Sequence, residues 1–210
     1  AISSMLILSL LFFGTKKKSL IPSKIQLITE MSYTFVAKMI NDTAGSSAKP
    51  FFPFIFTLFM FVLFCNMVGM LPYSFTVTSH IIVTFVLAAV VFIGVTVIGF
   101  VKHGIKYLEL FVPKGVPMVL LPLIIVIEII SYLSRPVSLS VRLFANMMAG
   151  HTMMKVFGGF VISLGLLGGW LPLGFSVALT GLEILVAFLQ AYVFAILTCI
   201  YLNDALNLHH

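Results

Sequence analysis

The chain has 210 residues, of which 61% are hydrophobic and 9% are charged, and its mean hydropathy is +1.20. Long apolar runs at this density exclude a soluble globular domain and indicate an integral membrane protein. The formal net charge of +6 is therefore interpreted as a sign of membrane topology and not of nucleic-acid binding. Because the apolar segments lack the alternation of outer-membrane strands, we expect one all-α membrane domain, residues 1–210, of about five to six helices.

The N-terminal stretch, residues 1–14, is apolar but too short to span a bilayer. Its lysines follow the apolar part, whereas those of a signal peptide precede it. We expect this stretch to be the end of a first transmembrane helix.

Two segments are suited to span a bilayer: residues 53–72, which are bounded by prolines, and residues 80–102. Before them, residues 23–42 mix apolar and charged side chains at helical spacing, which is typical of a helix that lies on the membrane surface. Cys65 and Cys199 both lie in apolar segments. Two such cysteines provide neither a disulfide framework nor the spacing of a metal site, so both are interpreted as core residues.

The second half of the chain predicts two overlong helices, at residues 116–156 and 171–203, joined by a glycine-rich turn at 158–169. The first would be about 60 Å long, twice the hydrocarbon thickness of about 30 Å. We therefore expect an antiparallel hairpin whose first helix tilts strongly, bends or lies flat, with a kink at Pro136.

Lysines are concentrated on one predicted side of the membrane. They precede the span 53–72 and follow the span 80–102, whereas the loop 71–79 between these spans has none. Positive charge marks the cytoplasmic or matrix side. The pattern predicts an N-terminus outside and a C-terminus inside.

Polar and small side chains follow one face of the helix predicted over 116–156. At about 100° per residue, one narrow stripe contains Glu128, Ser131, Arg135, Ser138, Arg142, Asn146 and Ala149. His151 and Lys155 fall on nearly the opposite face, while Glu183 and Gln190 share a stripe on the last helix. Ionisable side chains are costly inside a membrane and usually line an ion path or pair with each other, so this pattern indicates ion translocation.

Among the residues of this stripe, Arg142 is the hardest to explain by a purely structural role. It lies far from both predicted helix ends, where a snorkelling side chain is expected, whereas Arg135, beside Pro136, has a position compatible with reaching the polar boundary. A guanidinium stays protonated at every relevant pH, while His151 exchanges protons near neutrality. A fixed positive charge beside titratable groups predicts proton-path chemistry.

Two sequence blocks carry a resemblance to a known family. They are R-L-F-x-N-x-x-A-G at 142–150 and E-x-x-x-x-x-x-Q-A-Y at 183–192. In this order and spacing, together with FCNMVGMLP at 64–72, they closely resemble subunit a of the F-type ATP synthase, also called subunit 6, over residues 50–210. His151 stands where many bacterial members carry Glu, and Glu183 where those carry His. This exchanged pair resembles the mitochondrial type and its closest bacterial relatives.

The resemblance implies a role for each matching position. Arg142 corresponds to the essential arginine that faces the rotating ring of c subunits and separates two half-channels. The remaining positions correspond to a proton path: Glu183, His151, Asn146, Gln190, Glu128 and His80. For His80 a boundary histidine remains an equal alternative.

The implied function is that of a proton-conducting stator subunit that couples proton flow to rotation. Its implied partners are the c ring, b-type subunits of the peripheral stalk and the lipid bilayer, in a bacterial plasma membrane or a mitochondrial inner membrane. We expect no cofactor, metal or nucleic acid, and we expect nucleotide chemistry on other subunits.

Two other functions stay open from the sequence. One is a stand-alone ion transporter or channel, for which an internal repeat would be expected, and the other is a passive membrane anchor.

Overall fold

The computed structural model describes residues 2–16, 23–70, 80–111 and 120–207. Within these ranges the chain forms helices and no β-strand, which confirms the predicted all-α fold. The α-helices are α1 (Ile2–Lys16), α2 (Lys24–Ala44), α3 (Phe52–Gly69), α4 (Ile81–His103), α5 (Leu121–Gly168) and α6 (Trp170–Leu206). Two 3₁₀ helices, Ser46–Phe51 and Gly104–Phe111, precede α3 and follow α4.

Four stretches of the described chain are long and apolar enough to cross a membrane. They are Ser47–Gly69, Ile81–Leu108, Leu121–Gly165 and Trp170–Leu206. The first two contain most of the predicted spans 53–72 and 80–102, and the last two are the arms of the predicted hairpin. Residues 71–79, the predicted lysine-free loop, lie outside the described residues. The chain is therefore a multi-pass membrane protein.

Local sequence explains where several helices begin and end. The Ser23 hydroxyl accepts a hydrogen bond from the Gln26 backbone N–H and caps α2. Pro53 stands in the first turn of α3, where a missing N–H costs nothing. α4 ends at Gly104, whose φ of 57° suits glycine better than any other residue.

The joint of the hairpin differs from the one predicted. The sequence pattern predicts an end of the first arm at residue 156 and a turn over 158–169, but α5 continues helically to Gly165. There φ is 61° and ψ is −160°, and this is the residue of α5 with non-helical angles. A glycine costs a helix only about 1 kcal/mol, whereas an open turn would leave backbone groups unbonded, so the glycine-rich stretch stays helical. The predicted start at Val116 lies outside the described residues.

The two arms run antiparallel from the turn to the end of α6, and residues 121–134 of α5 extend beyond it. Near the turn the rings of Phe157 and Phe175 stack with centroids 5.8 Å apart. Farther along, Glu183 lies against Gly150. At the far end Asp204 reaches Arg135 at 3.4 Å. The backbone angles of α5 remain helical across Pro136, and the bend of the helix axis expected there stays a prediction.

Small side chains bring the helices together. On α6, fully buried positions recur at helical spacing on the side that contacts α3: Ala187, Ala191, Ala195 and Cys199. On α4, Ala88, Val91 and Val95 are buried in the same way beside α5 and α6. Because lipid offers apolar side chains as good an environment as protein, close van der Waals packing of such small residues holds membrane helices together.

Helix α4 also runs antiparallel to α5. Thr96 of α4 hydrogen-bonds Tyr132 of α5 at 2.7 Å. The C-terminal end of α4 meets that of α6, where Lys102 donates to the Leu206 carbonyl at 3.1 Å. Consequently His80, immediately before α4, lies at the end of the bundle nearer the hairpin turn.

Candidate functional site

Arg142 lies at the middle of the helical stretch Leu121–Gly165 with its side chain exposed. Its neighbours on the inner side, Leu139, Leu143 and Met147, are buried against the other helices. Within the described part of the chain, Arg142 forms no hydrogen bond and no ion pair. The helix therefore presents an uncompensated guanidinium on the flank of the hairpin, midway along an apolar span.

Arg135, which the stripe also contains, has quite different surroundings. Its guanidinium reaches the Asp204 carboxylate at 3.4 Å. It also lies 5.2 Å from the centroid of the Tyr132 ring and 4.9 Å from that of Tyr201. Arg135 thus turns to α6, near the C-terminal end of that helix. A position at the polar boundary, which is one sequence-based interpretation of Arg135, stays a prediction. The sequence pattern indicates neither Asp204 nor the two tyrosines as partners of Arg135.

Glu183 holds a buried carboxyl against the backbone of α5. The residue is 8% exposed, and neither carboxyl oxygen has a hydrogen-bond partner among the described residues. A Cβ added to Gly150 would stand 2.5 Å from its Oε1, so the absence of a side chain at Gly150 provides the space that the carboxyl occupies. His151 interacts electrostatically with Glu183. The fold therefore places Glu183 within electrostatic reach of His151, although the helical wheel puts His151 opposite the polar stripe.

A cleft of about 200 Å³ lies between the hairpin arms at this level. Asn146, Gly150 and Glu183 line it together with apolar side chains of both arms. A water molecule takes about 30 Å³ in the liquid, so the cleft has room for several. Since Asn146 is one turn from Arg142, the cleft leads from the buried carboxyl towards the exposed guanidinium.

Gln190 is buried, and its neighbourhood contains an amide that the sequence analysis missed. By the antiparallel pairing, Gln190 is level with Arg142 and Asn146, but it is only 5% exposed and its Nε2 has no partner among the described residues. Asn66 on α3 is fully buried and donates from Nδ2 to the Ala187 carbonyl at 3.2 Å. A lone amide inside the apolar run FCNMVG was the signal that could have drawn attention to it.

Glu128 and His80 lie towards opposite ends of the bundle. Glu128 is half-buried on α5, beyond Arg135 as seen from Arg142. His80 is exposed at the end nearer the hairpin turn, the end towards which His151 also lies. Arg142 therefore stands between Glu128 on one side and Glu183 with His151 on the other.

Comparison with known proteins identifies the family. The family model described as "ATP synthase A chain" matches residues 1–203. A protein of Pelagibacter ubique named "ATP synthase subunit a" is 81% identical over 209 residues, covering 100% of this chain and 86% of that protein.

Proteins with the same name from two other bacteria are similar along nearly the whole chain. The one from a Chelativorans species is 63% identical, covering 95% of this chain and 83% of its own length. The one from Parvibaculum lavamentivorans is 61% identical, covering 94% of this chain and 78% of its own length. These relatives favour the bacterial type over the mitochondrial one. The chain belongs to the ATP synthase subunit a family, as a multi-pass inner-membrane subunit of an F-type ATP synthase of bacterial type.

Proposed function

We propose that the α5–α6 hairpin conducts protons through two half-channels separated by Arg142 and couples their flow to rotation of a c ring. The observation that carries this proposal is the exposed guanidinium at mid-span without a counter-charge among the described residues. A lone cation in hydrocarbon is costly, so a carboxylate from another chain is the partner that this position requires. An ionised carboxylate on the passing ring supplies it.

The outer half-channel uses the cleft that ends at Glu183. Its carboxyl interacts with His151 and faces a space with room for water beside Asn146. Carboxyl, imidazole and water are groups that pass protons to one another. His80, at the same end of the bundle, is the entry residue of this path, and Gln190 lies at the level where the path approaches Arg142.

The inner half-channel uses Glu128, on the other side of Arg142 along α5. A proton that moved directly between the two acidic groups would have to pass the fixed positive charge of Arg142. A proton that neutralises a ring carboxylate instead crosses with the ring. Each charge that crosses 100 mV releases about 2.3 kcal/mol, and Arg142 makes this energy available for rotation because it blocks the direct leak.

The length of the hairpin fits a stator that lies along a ring. Helix α5 is apolar over 45 residues from Leu121 to Gly165, which is about 67 Å of helix for a hydrocarbon layer of about 30 Å. A strongly tilted helix accommodates this excess and offers a long contact line to a curved partner. The b-type subunits of the peripheral stalk hold the subunit against the torque.

Replacement of Arg142 tests the proposal directly. In membranes that contain the complete ATP synthase, Arg142→Ala is expected to abolish ATP-driven proton pumping, measured by quenching of a pH-sensitive dye, while ATP hydrolysis continues. The matched control is Ser138→Ala, an exposed position one turn away on the same flank, which should pump normally. Normal pumping by Arg142→Ala would refute the proposal.

A further inference from the structure

Arg135 and Arg142 are two permanent cations on one side of α5. Two helical turns, about 10 Å, separate them along the helix. The hydroxyl of Tyr201 interacts electrostatically with both guanidiniums, so both contribute to the field at one place on the hairpin. A ring carboxylate attracted by one of them would also be attracted by the other if both were uncompensated.

The structure compensates one of these charges and leaves the other free. The side chain of Arg135 is 20% exposed and ion-paired with Asp204. The rings of Tyr132 and Tyr201 hold the same guanidinium without neutralising it, because a ring carries a quadrupole but no net charge. Asp204 is therefore the group that cancels the charge of Arg135.

The Tyr132 ring of this cluster is held independently of Asp204. The Tyr132 hydroxyl is hydrogen-bonded to Thr96 at 2.7 Å and to Tyr107 at 3.0 Å. These bonds tie α5 to α4 and to the 3₁₀ helix that follows it. Removal of the Asp204 charge would therefore leave Arg135 close to its present place, but uncompensated.

We propose that Asp204 masks Arg135, so that Arg142 is the uncompensated arginine of the described part of α5 that the ring carboxylate meets. This inference rests on the proposed function. An unmasked Arg135 would form a second attractive site about 10 Å from Arg142 and would delay the carboxylate on its way past the hairpin. Asp204 is thus a positioning residue, since it acts on the ring carboxylate through Arg135.

A pair of substitutions separates this role from a merely structural ion pair. In the complete ATP synthase, Asp204→Asn is expected to lower ATP-driven proton pumping about tenfold, the effect of a unit charge at about 10 Å in a poorly screened environment. Combining it with Arg135→Gln removes the unmasked cation and is expected to restore pumping to within about twofold of the parent enzyme. Asp204→Glu, which keeps the charge, should also pump. Subunit content and ATP hydrolysis of the membranes show whether each variant assembles.

The outcomes decide between the roles. A purely structural ion pair predicts that the double variant is at least as defective as Asp204→Asn, and that result would overturn the proposal. Full pumping by an assembled Asp204→Asn enzyme would overturn it as well. The Arg142→Ala variant in the same assay keeps the two questions apart. Retained pumping there would refute the proposed function, whereas loss of pumping there with normal Asp204→Asn would refute only the masking role.

Discussion

Glu183 and Gly150 illustrate at the scale of single residues how the hairpin accommodates a carboxyl inside an apolar span. The carboxyl of Glu183 occupies the space that a side chain at position 150 would need. Both of its oxygens lack hydrogen-bond partners among the described residues, and the cleft beside it reaches Asn146. A buried carboxyl whose oxygens lack hydrogen-bond partners is suited to exchange protons with water in an adjacent cleft. A carboxyl that only supported the fold would be hydrogen-bonded.

Gly150→Ala tests whether the place of this carboxyl matters. The added methyl group would meet Oε1 and Cδ of Glu183 at 2.5 and 2.8 Å and must displace the side chain. We expect the rate of ATP-driven pumping to fall about tenfold. This loss is smaller than the roughly hundredfold loss of rate that a displacement of a full ångström can cause in a catalytic site. Gly159→Ala is the matched control on the same helix, because a Cβ there meets nothing within 4 Å. Equal pumping by the two variants would contradict the expectation.

Glu183→Gln keeps the shape of the side chain but removes its ability to carry a proton. We expect the rate of proton entry to fall by about a hundredfold, the lower range for loss of a positioned acid–base group. ATP-driven pumping and proton-driven ATP synthesis measure it. The control is Glu30→Gln. Glu30 is an exposed acid on α2 whose carboxylate accepts a hydrogen bond from the side-chain amide of Gln26. An unchanged rate in Glu183→Gln would remove this residue from the path.

At the scale of elements, the hairpin is one nearly continuous helix folded back at a single glycine. The angles of Gly165 lie in a region that side chains strongly disfavour. Gly158 and Gly159, by contrast, remain helical and open to space. The glycine-rich composition of residues 158–169 therefore predicts a turn in the right part of the chain, but only the backbone angles identify the residue at which the chain folds back.

Gly165→Ala is expected to destabilise the hairpin by about 1–3 kcal/mol, the cost of a side chain in a sparsely populated backbone region. Thermal inactivation of ATP-driven pumping should move to lower temperature. Gly174→Ala, in the helical part of α6 with nothing within 4 Å of the added Cβ, should leave the inactivation temperature unchanged or raise it. If both variants shift it equally, the strained angle at Gly165 has no energetic consequence.

At the scale of the whole molecule, α1 to α4 support one side of the hairpin and leave a flank of it uncovered. Helix α6 packs on α3 and α2, and α5 packs on α4. On the uncovered flank, the side chain of Arg142 is exposed. A subunit that works against a ring needs such a flank, whereas a stand-alone channel would enclose its charges.

The purified chain alone is therefore expected to conduct no protons. Vesicles that contain only this chain should show the proton permeability of protein-free vesicles under an imposed potential. Vesicles that also contain a c ring should show a higher permeability, since in the proposed function the ring carries protons between the half-channels. A large flux from the chain alone would favour the stand-alone transporter.

The membrane class, the helical fold, the family and the order of charged groups along α5 can be predicted from the sequence alone. The membrane class, the fold and the order of charges follow from composition and from periodicity within one helix, whereas the family follows from the resemblance of the blocks at 142–150 and 183–192. The sequence does not predict that Asp204 neutralises Arg135 while Arg142 stays free. Nor does it predict that Glu183 interacts electrostatically with His151 on the other arm. These pairings become visible only in the packed arrangement of the helices. The pairings depend on the register and rotation of one helix against another. Close packing of small side chains sets this register and rotation, and the periodicity within a single helix carries no information about them.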